Sequence, residues 1–201
     1  MNTKILCAFA VATCASAASA NRVDLLMFET NGVDELSVDL WVDVVDAGSQ
    51  VDMVFHNDST DGAIANIYIE STAASTLLLA NGSIAGSTGT VDFDTSTSPA
   101  TPPGSITNFG GSWGGNLFAV GAVSPAPTNG INPGETLTIR FDLLGSFSDV
   151  FDGLNDPDGG FRIAQHGISF GQNSIWTTTV PAPGAAALLA FGGVLAGRRR
   201  R

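Results

Sequence analysis

Apolar and polar residues alternate with period two through most of the chain between residues 21 and 179. The pattern is clearest over residues 35–46, where Leu36, Val38, Leu40, Val42 and Val44 alternate with Ser37, Asp39, Trp41 and Asp43. Successive strand side chains point to opposite faces, so this stretch predicts a strand with one face in a core and one in solvent. Residues 50–56 repeat it with Val51, Met53 and Phe55, and residues 136–144 with Leu137, Ile139, Phe141 and Leu143. Weaker alternation predicts strands over 23–29, 64–70, 90–94, 117–123 and 161–170.

Turn-forming residues separate these stretches: Asp46-Ala47-Gly48-Ser49, Asn81-Gly82, Asn129-Gly130 and Asn132-Pro133-Gly134. About eight strands without regular helical alternation predict an all-β fold, an antiparallel β-sandwich or jelly roll. One short helix is expected over residues 148–154, with Ser148 as cap, Asp149 in the first turn and Val150, Phe151 and Leu154 facing inward. The Ser/Thr/Pro-rich residues 95–105 and the Gly-rich residues 108–116 read as long surface loops within a single domain, because strand patterns resume after them.

Charge narrows the function. Residues 21–179 hold three basic and nineteen acidic side chains, a net of −16. Nucleic-acid binding is excluded, since neutralising phosphates needs clustered Lys and Arg. Anionic lipid headgroups would also repel this body.

The ends read as addresses. Lys4 followed by the apolar residues 5–12, with Ala18-Ser19-Ala20 before Asn21, predicts a signal peptide over residues 1–20 cut by signal peptidase, with Ala18 and Ala20 as the small specificity residues. Cys14 offers a lipidation alternative, but Thr13 stands where such signals want Gly, Ala or Ser. Cys7 and Cys14 are the only cysteines. Once they leave with the signal, the body has no disulfide and rests on its apolar core.

At the other end, Val180-Pro181-Ala182-Pro183-Gly184 precedes an apolar run over 185–197, and Arg198, Arg199, Arg200 and Arg201 follow. The 18 residues 180–197 would span about 27 Å as a helix, enough for a thin bilayer. The arginines would keep that end cytoplasmic, and the prolines leave an extended segment at the outer membrane face. A lipid-anchor signal of the GPI type lacks such an Arg cluster, and an ordinary tail anchor is the plain alternative.

Together these residues resemble the PEP-CTERM sorting signal of exported bacterial proteins. The resemblance covers residues 180–201 and implies recognition and removal by an exosortase-type protease. It also implies transient inner-membrane anchoring and delivery to the cell surface or extracellular matrix. Ala182 stands where the family name puts glutamate, which leaves the subtype of the processing enzyme open. The body resembles domains that commonly precede such tails, through Phe55-His56-Asn57-Asp58-Ser59 running to Ile64 and Ile67-Tyr68-Ile69-Glu70, Asn132-Pro133-Gly134-Glu135-Thr136-Leu137-Thr138 and Phe161-Arg162-Ile163-Ala164-Gln165-His166.

Catalytic chemistry leaves little trace. His56 and His166 are the only histidines, and no G-x-S-x-G, H-E-x-x-H or P-loop pattern occurs. Asp92/Asp94 and Asp39/Asp43 could serve glycoside hydrolysis only with a further strand and a cleft to raise one pKa. Solvated strand faces account for them more simply. Asp152, Asn155, Asp156 and Asp158 gather oxygens in a Gly/Pro loop and are the calcium candidates, although Leu154 breaks the usual ligand spacing and a polar turn is the plainer account. Trp113 in its Gly-rich loop and Trp41 on a polar strand face are carbohydrate-stacking candidates, against the simpler role of sealing a core edge. The expectation is a non-enzymatic exported surface or matrix protein associated with exopolysaccharide. A secreted carbohydrate- or calcium-binding module is the alternative, and a polysaccharide-degrading enzyme a second.

Overall fold

The computed structural model describes residues 20–29, 31–97, 113, 115–155 and 161–179. Ten strands carry the fold: β1 (Ala20–Glu29), β2 (Leu40–Asp46), β3 (Gln50–Asn57), β4 (Ala63–Glu70), β5 (Leu79–Ser87), β6 (Phe93–Asp94), β7 (Asn116–Ala122), β8 (Thr136–Leu143), β9 (Ile163–Phe170) and β10 (Asn173–Thr179). Among the described residues, three short α-helices join them: α1 (Ala73–Leu78), α2 (Ala126–Asn129) and α3 (Phe147–Asn155). Among the described residues, no helix is long and apolar enough to cross a membrane.

The strands hydrogen-bond in the order β5-β8-β3-β2-β1-β10-β9-β4-β7-β6, and every pairing is antiparallel. β1 joins two arms. Its first half pairs with β2, from Ala20↔Val45 to Asp24↔Trp41, and its second half pairs with β10, from Leu25↔Thr179 to Glu29↔Trp176. The sheet then curls until its far ends meet, which makes the whole barrel-like. Phe118 of β7 packs edge-on to Phe141 of β8 with ring centroids 5.6 Å apart. Gly82 of β5 lies so close beneath both rings that a Cβ there would sit 2.6 Å from each.

One apolar core fills the inside. The first arm contributes Val42, Val44, Val51, Met53, Phe55, Leu137, Ile139 and Phe141, and the second Ile64, Ile67, Ile69, Val120, Ile163 and Ile175. Val150 and Leu154 of α3, with Phe161, belong to the same cluster. Burying each such side chain stabilises the fold by about 1.5–3 kcal/mol relative to exposure. The alternating strands of the sequence are therefore those with one buried face; β3 and β8 begin at the expected residues, 50 and 136, and β2 ends at the expected residue 46.

Several expectations shift. Residues 35–46 do not form one strand: Glu35–Ser37 make a turn of 3-10 helix capped by Asp34, whose carboxylate accepts from the Leu36 amide, and β2 starts at Leu40. Asn81-Gly82 is not a hairpin turn but lies inside β5, where Asn81 has φ 52° and the register with β8 slips between Ala80 and Ser83. A left-handed residue suited to Asn or Gly thus bulges a strand instead of ending it. The helix expected over 148–154 spans Phe147–Asn155, and α1 is additional, capped by a reciprocal pair of bonds between Thr72 and Ser75.

Asn57, fully buried at the end of β3, ties the turn that follows it to residue 131. Its amide donates to the Ile131 carbonyl at 2.8 Å and the Gly62 carbonyl at 3.2 Å, and its side-chain oxygen accepts from the Ser59 amide at 3.1 Å. The Ser59 hydroxyl in turn accepts from the Asp39 amide. Gly62 adopts φ +80° directly under the Phe170 ring, where a Cβ would fall 2.5 Å away, so this turn admits only glycine.

Asn57→Ala takes the side-chain partner from the Gly62 carbonyl and the Ser59 amide, while the Ile131 carbonyl keeps the Ile64 amide, and is expected to cost roughly 1–3 kcal/mol in urea unfolding. Asn57→Asp is expected not to rescue it, because a carboxylate would face two carbonyl oxygens.

Candidate functional site

On the first arm, the strand faces turned away from the core build a stacked column. Arg22 and Asp24 of β1, Trp41 and Asp43 of β2 and His56 of β3 share this outer face, and the ladder puts Trp41 opposite both Asp24 and His56. The indole lies flat on the imidazole, with centroids 3.6 Å apart and planes within 5°. From the β1 side, the Arg22 guanidinium sits 4.6 Å from the indole. Arg22 is itself held by Asp24 at 2.6 Å and Asp39 at 3.0 Å, and the indole N–H donates to Asp58 at 3.1 Å.

His56 is the titratable centre of this column. Its Nε2 is buried without a hydrogen-bond partner and lies 3.7 Å from the Asp43 carboxylate, too far for a bond. Burial lowers its pKa below the ordinary histidine value; Asp43 and Asp58 oppose that shift and Arg22 adds to it. The column at neutral pH is therefore a neutral imidazole and an indole, with one guanidinium and four carboxylates around them. Such a surface offers hydrogen-bond acceptors to a polyhydroxylated or cationic ligand. A sugar ring stacking on Trp41 would have to displace Arg22, because His56 already covers the β3 side of the indole.

The second arm carries a different cluster on its outer face. Tyr68, Ala164 and Trp176 form a small buried group of their own, with Trp113 and Ala119 packed against it. Beside it, Arg162 grips Glu70 through two bonds, one of them Nη2 to Oε1 at 2.6 Å, with side chains only 13% and 3% exposed. The Trp113 ring lies 5.6 Å from the Arg162 guanidinium, and its indole N–H donates to Asn116 at 3.0 Å. His166 stacks on Trp176 at 4.5 Å and meets Asn66 through Nδ1.

The carbohydrate candidates therefore fall on separate arms. Trp41 is one layer of a stack, and Trp113 is a partly buried cover over an ion pair. Of the calcium candidates, Asp152 and Asn155 lie on α3, and the Asn155 amide donates to the Phe151 carbonyl at 2.8 Å. Asp156 and Asp158 lie outside the described residues. Among the described residues, no three His, Cys, Asp or Glu side chains converge as metal ligands. Ala20 is the first residue of β1. Ala18, Val180, Pro181, Ala182, Pro183, Gly184 and Arg198, Arg199, Arg200 and Arg201 lie outside the described residues.

Arg22, Asp58, Glu70 and Arg162 were not singled out as site residues by sequence alone. The available signal was scarcity: only three basic residues occur in the body, and each meets a carboxylate, Arg140 doing so with Asp52 through two bonds of 2.6 Å. No family model matches this chain, and neither a curated protein nor a solved structure matches it.

Arg162→Met is expected to cost about 3–5 kcal/mol, because it removes both guanidinium bonds from a buried carboxylate. Arg140→Met, at a more exposed pair, is expected to cost far less. Thermal unfolding of the two variants compares them directly.

The lowered His56 pKa also sets a pH dependence. Below its unfolded value, 6.5, the unfolded chain takes up a proton that the folded chain resists. Stability is therefore full above that pH and falls as pH drops toward the lowered folded value. His56→Gln is expected to flatten this part of the melting-temperature profile.

Proposed function

We propose that this chain is a non-enzymatic exported protein of the cell surface or extracellular matrix, processed by an exosortase-type sorting system. In this reading, signal peptidase removes residues 1–20, the apolar tail holds the protein transiently in the inner membrane, and cleavage near Pro181-Ala182-Pro183 releases the body. The observation that carries it is the juxtaposition of Pro181-Ala182-Pro183, the apolar residues 185–197 and four arginines directly after the last strand. A body of net charge −16 supports the reading as well, because it stays soluble and self-repelling in a hydrated polysaccharide layer.

The finer fold in this reading is a jelly-roll-like sandwich of two sheets that share β1. The pairing supports it: β5-β8-β3-β2 join the first half of β1, and β10-β9-β4-β7-β6 its second half. Contact with exopolysaccharide would use the acceptor-rich face around Trp41, through Asp24, Asp39, Asp43 and Asp58.

Intact mass of the protein from its host, separated into inner-membrane and released fractions, tests the route. A released species starting at Asn21 and ending within residues 180–184 is the expected outcome. A protein that keeps Arg198–Arg201 and is found only in the membrane would overturn sorting in favour of a permanent tail anchor.

A further inference from the structure

β1 leaves β2 after Asp24 and takes β10 as its partner from Leu25 onward. The side of β1 vacated there is bordered by the 3-10 turn Glu35–Ser37. Between them runs a groove of about 320 Å3 lined by Leu25, Leu26, Met27, Glu35, Leu36 and Val38. Two of its leucines face solvent: Leu26 is 53% exposed and Leu36 95%. An apolar groove with two exposed leucines on its walls is a candidate binding surface. Among the described residues, the other exposed large aliphatic side chains are Leu77 of α1, Ile84 of β5 and Leu144, which follows β8.

The position of this groove points to what covers it. Thr179, the last residue of β10, is the cross-strand partner of Leu25, a wall of the groove. Only the five residues 180–184 separate Thr179 from the apolar run that starts at Ala185. Fully extended, five residues reach at most about 17 Å. When the tail spans the bilayer, Leu26 and Leu36 are therefore tethered within a short reach of its outer surface. The high effective concentration of a short tether makes even weak contact persistent.

We infer that the Leu26–Leu36 groove docks on the outer-leaflet interface of the membrane in which the tail is anchored, with both leucine side chains seated among the lipids. The inference rests on the anchoring reading above. It gives the groove a lipid occupant of zwitterionic chemistry, because Asp34 and Glu35 beside Leu36, and the acidic body behind them, oppose anionic headgroups. Docking also holds residues 180–184 close to the membrane surface, where an integral-membrane protease would meet them, and cleavage there would free the groove.

The test uses the full chain with Cys7 and Cys14 changed to serine, reconstituted into phosphatidylcholine vesicles. A nitrobenzoxadiazole label is carried at Leu36→Cys in one sample and at Ser83→Cys on β5 in another. The Leu36 label is expected to shift to the blue and to be quenched by lipids with shallow nitroxide groups, while the Ser83 label is not. Adding Leu26→Asp is expected to abolish the quenching at position 36, with the protein still resisting carbonate extraction. An unquenched Leu36 label in a carbonate-resistant protein overturns the docking and leaves the anchoring intact. A protein washed from the vesicles by carbonate overturns both.

Discussion

β1 hydrogen-bonds β2 through its first five residues and β10 through its second five, and among the described residues no other strand is shared in this way. Without that division, each arm would present a strand edge with a row of unpaired N–H and C=O groups, which invites pairing with other chains. The same division decides where the core can form. Val23 and Leu25 sit on either side of the change of partner, and both are buried in the common cluster. One backbone segment thus fixes the join between the arms, and the Phe118–Phe141 contact completes the curl at the far ends.

Charge is organised around the same frame. The body has few cations, and each is committed to a carboxylate: Arg22 on the outer face near the join, Arg140 across β3 and β8, and Arg162 beneath Trp113. Their environments differ more than their geometry. Arg162 and Glu70 are withdrawn from water, so their mutual bonds stand in for lost hydration, whereas Arg140 keeps substantial hydration. The remaining carboxylates mostly edge the sheet in solvent, and several serve the backbone, as Asp46 does for the Gly48 amide in the β2–β3 turn.

Alternation made β2, β3 and β8 legible because each has one face in the core and one toward water. It was weaker for β4, where Tyr68 and Glu70 on the outer face are buried as well. β10 escaped notice because its buried positions include Thr177, Thr178 and Thr179, whose hydroxyls find partners such as the Ile163 carbonyl. β5 escaped because Asn81-Gly82 carries turn chemistry that the fold uses for a bulge. Leu36 obeyed the alternation yet lies outside the core, since the capped 3-10 turn breaks the strand before it. The stacked column was beyond reach for a different reason. Trp41 and His56 are 15 positions apart, and only the β2–β3 register brings them face to face.

β10 lies inside the sheet, hydrogen-bonded to β1 on one side and β9 on the other, and the chain continues from its last residue. Tension applied beyond Thr179 along the strand must shear two ladders together. An edge strand under the same pull would unzip one bond at a time. The end of β10 is thus a mechanical clamp, one that resists a pull on the chain without letting the fold peel open from that end.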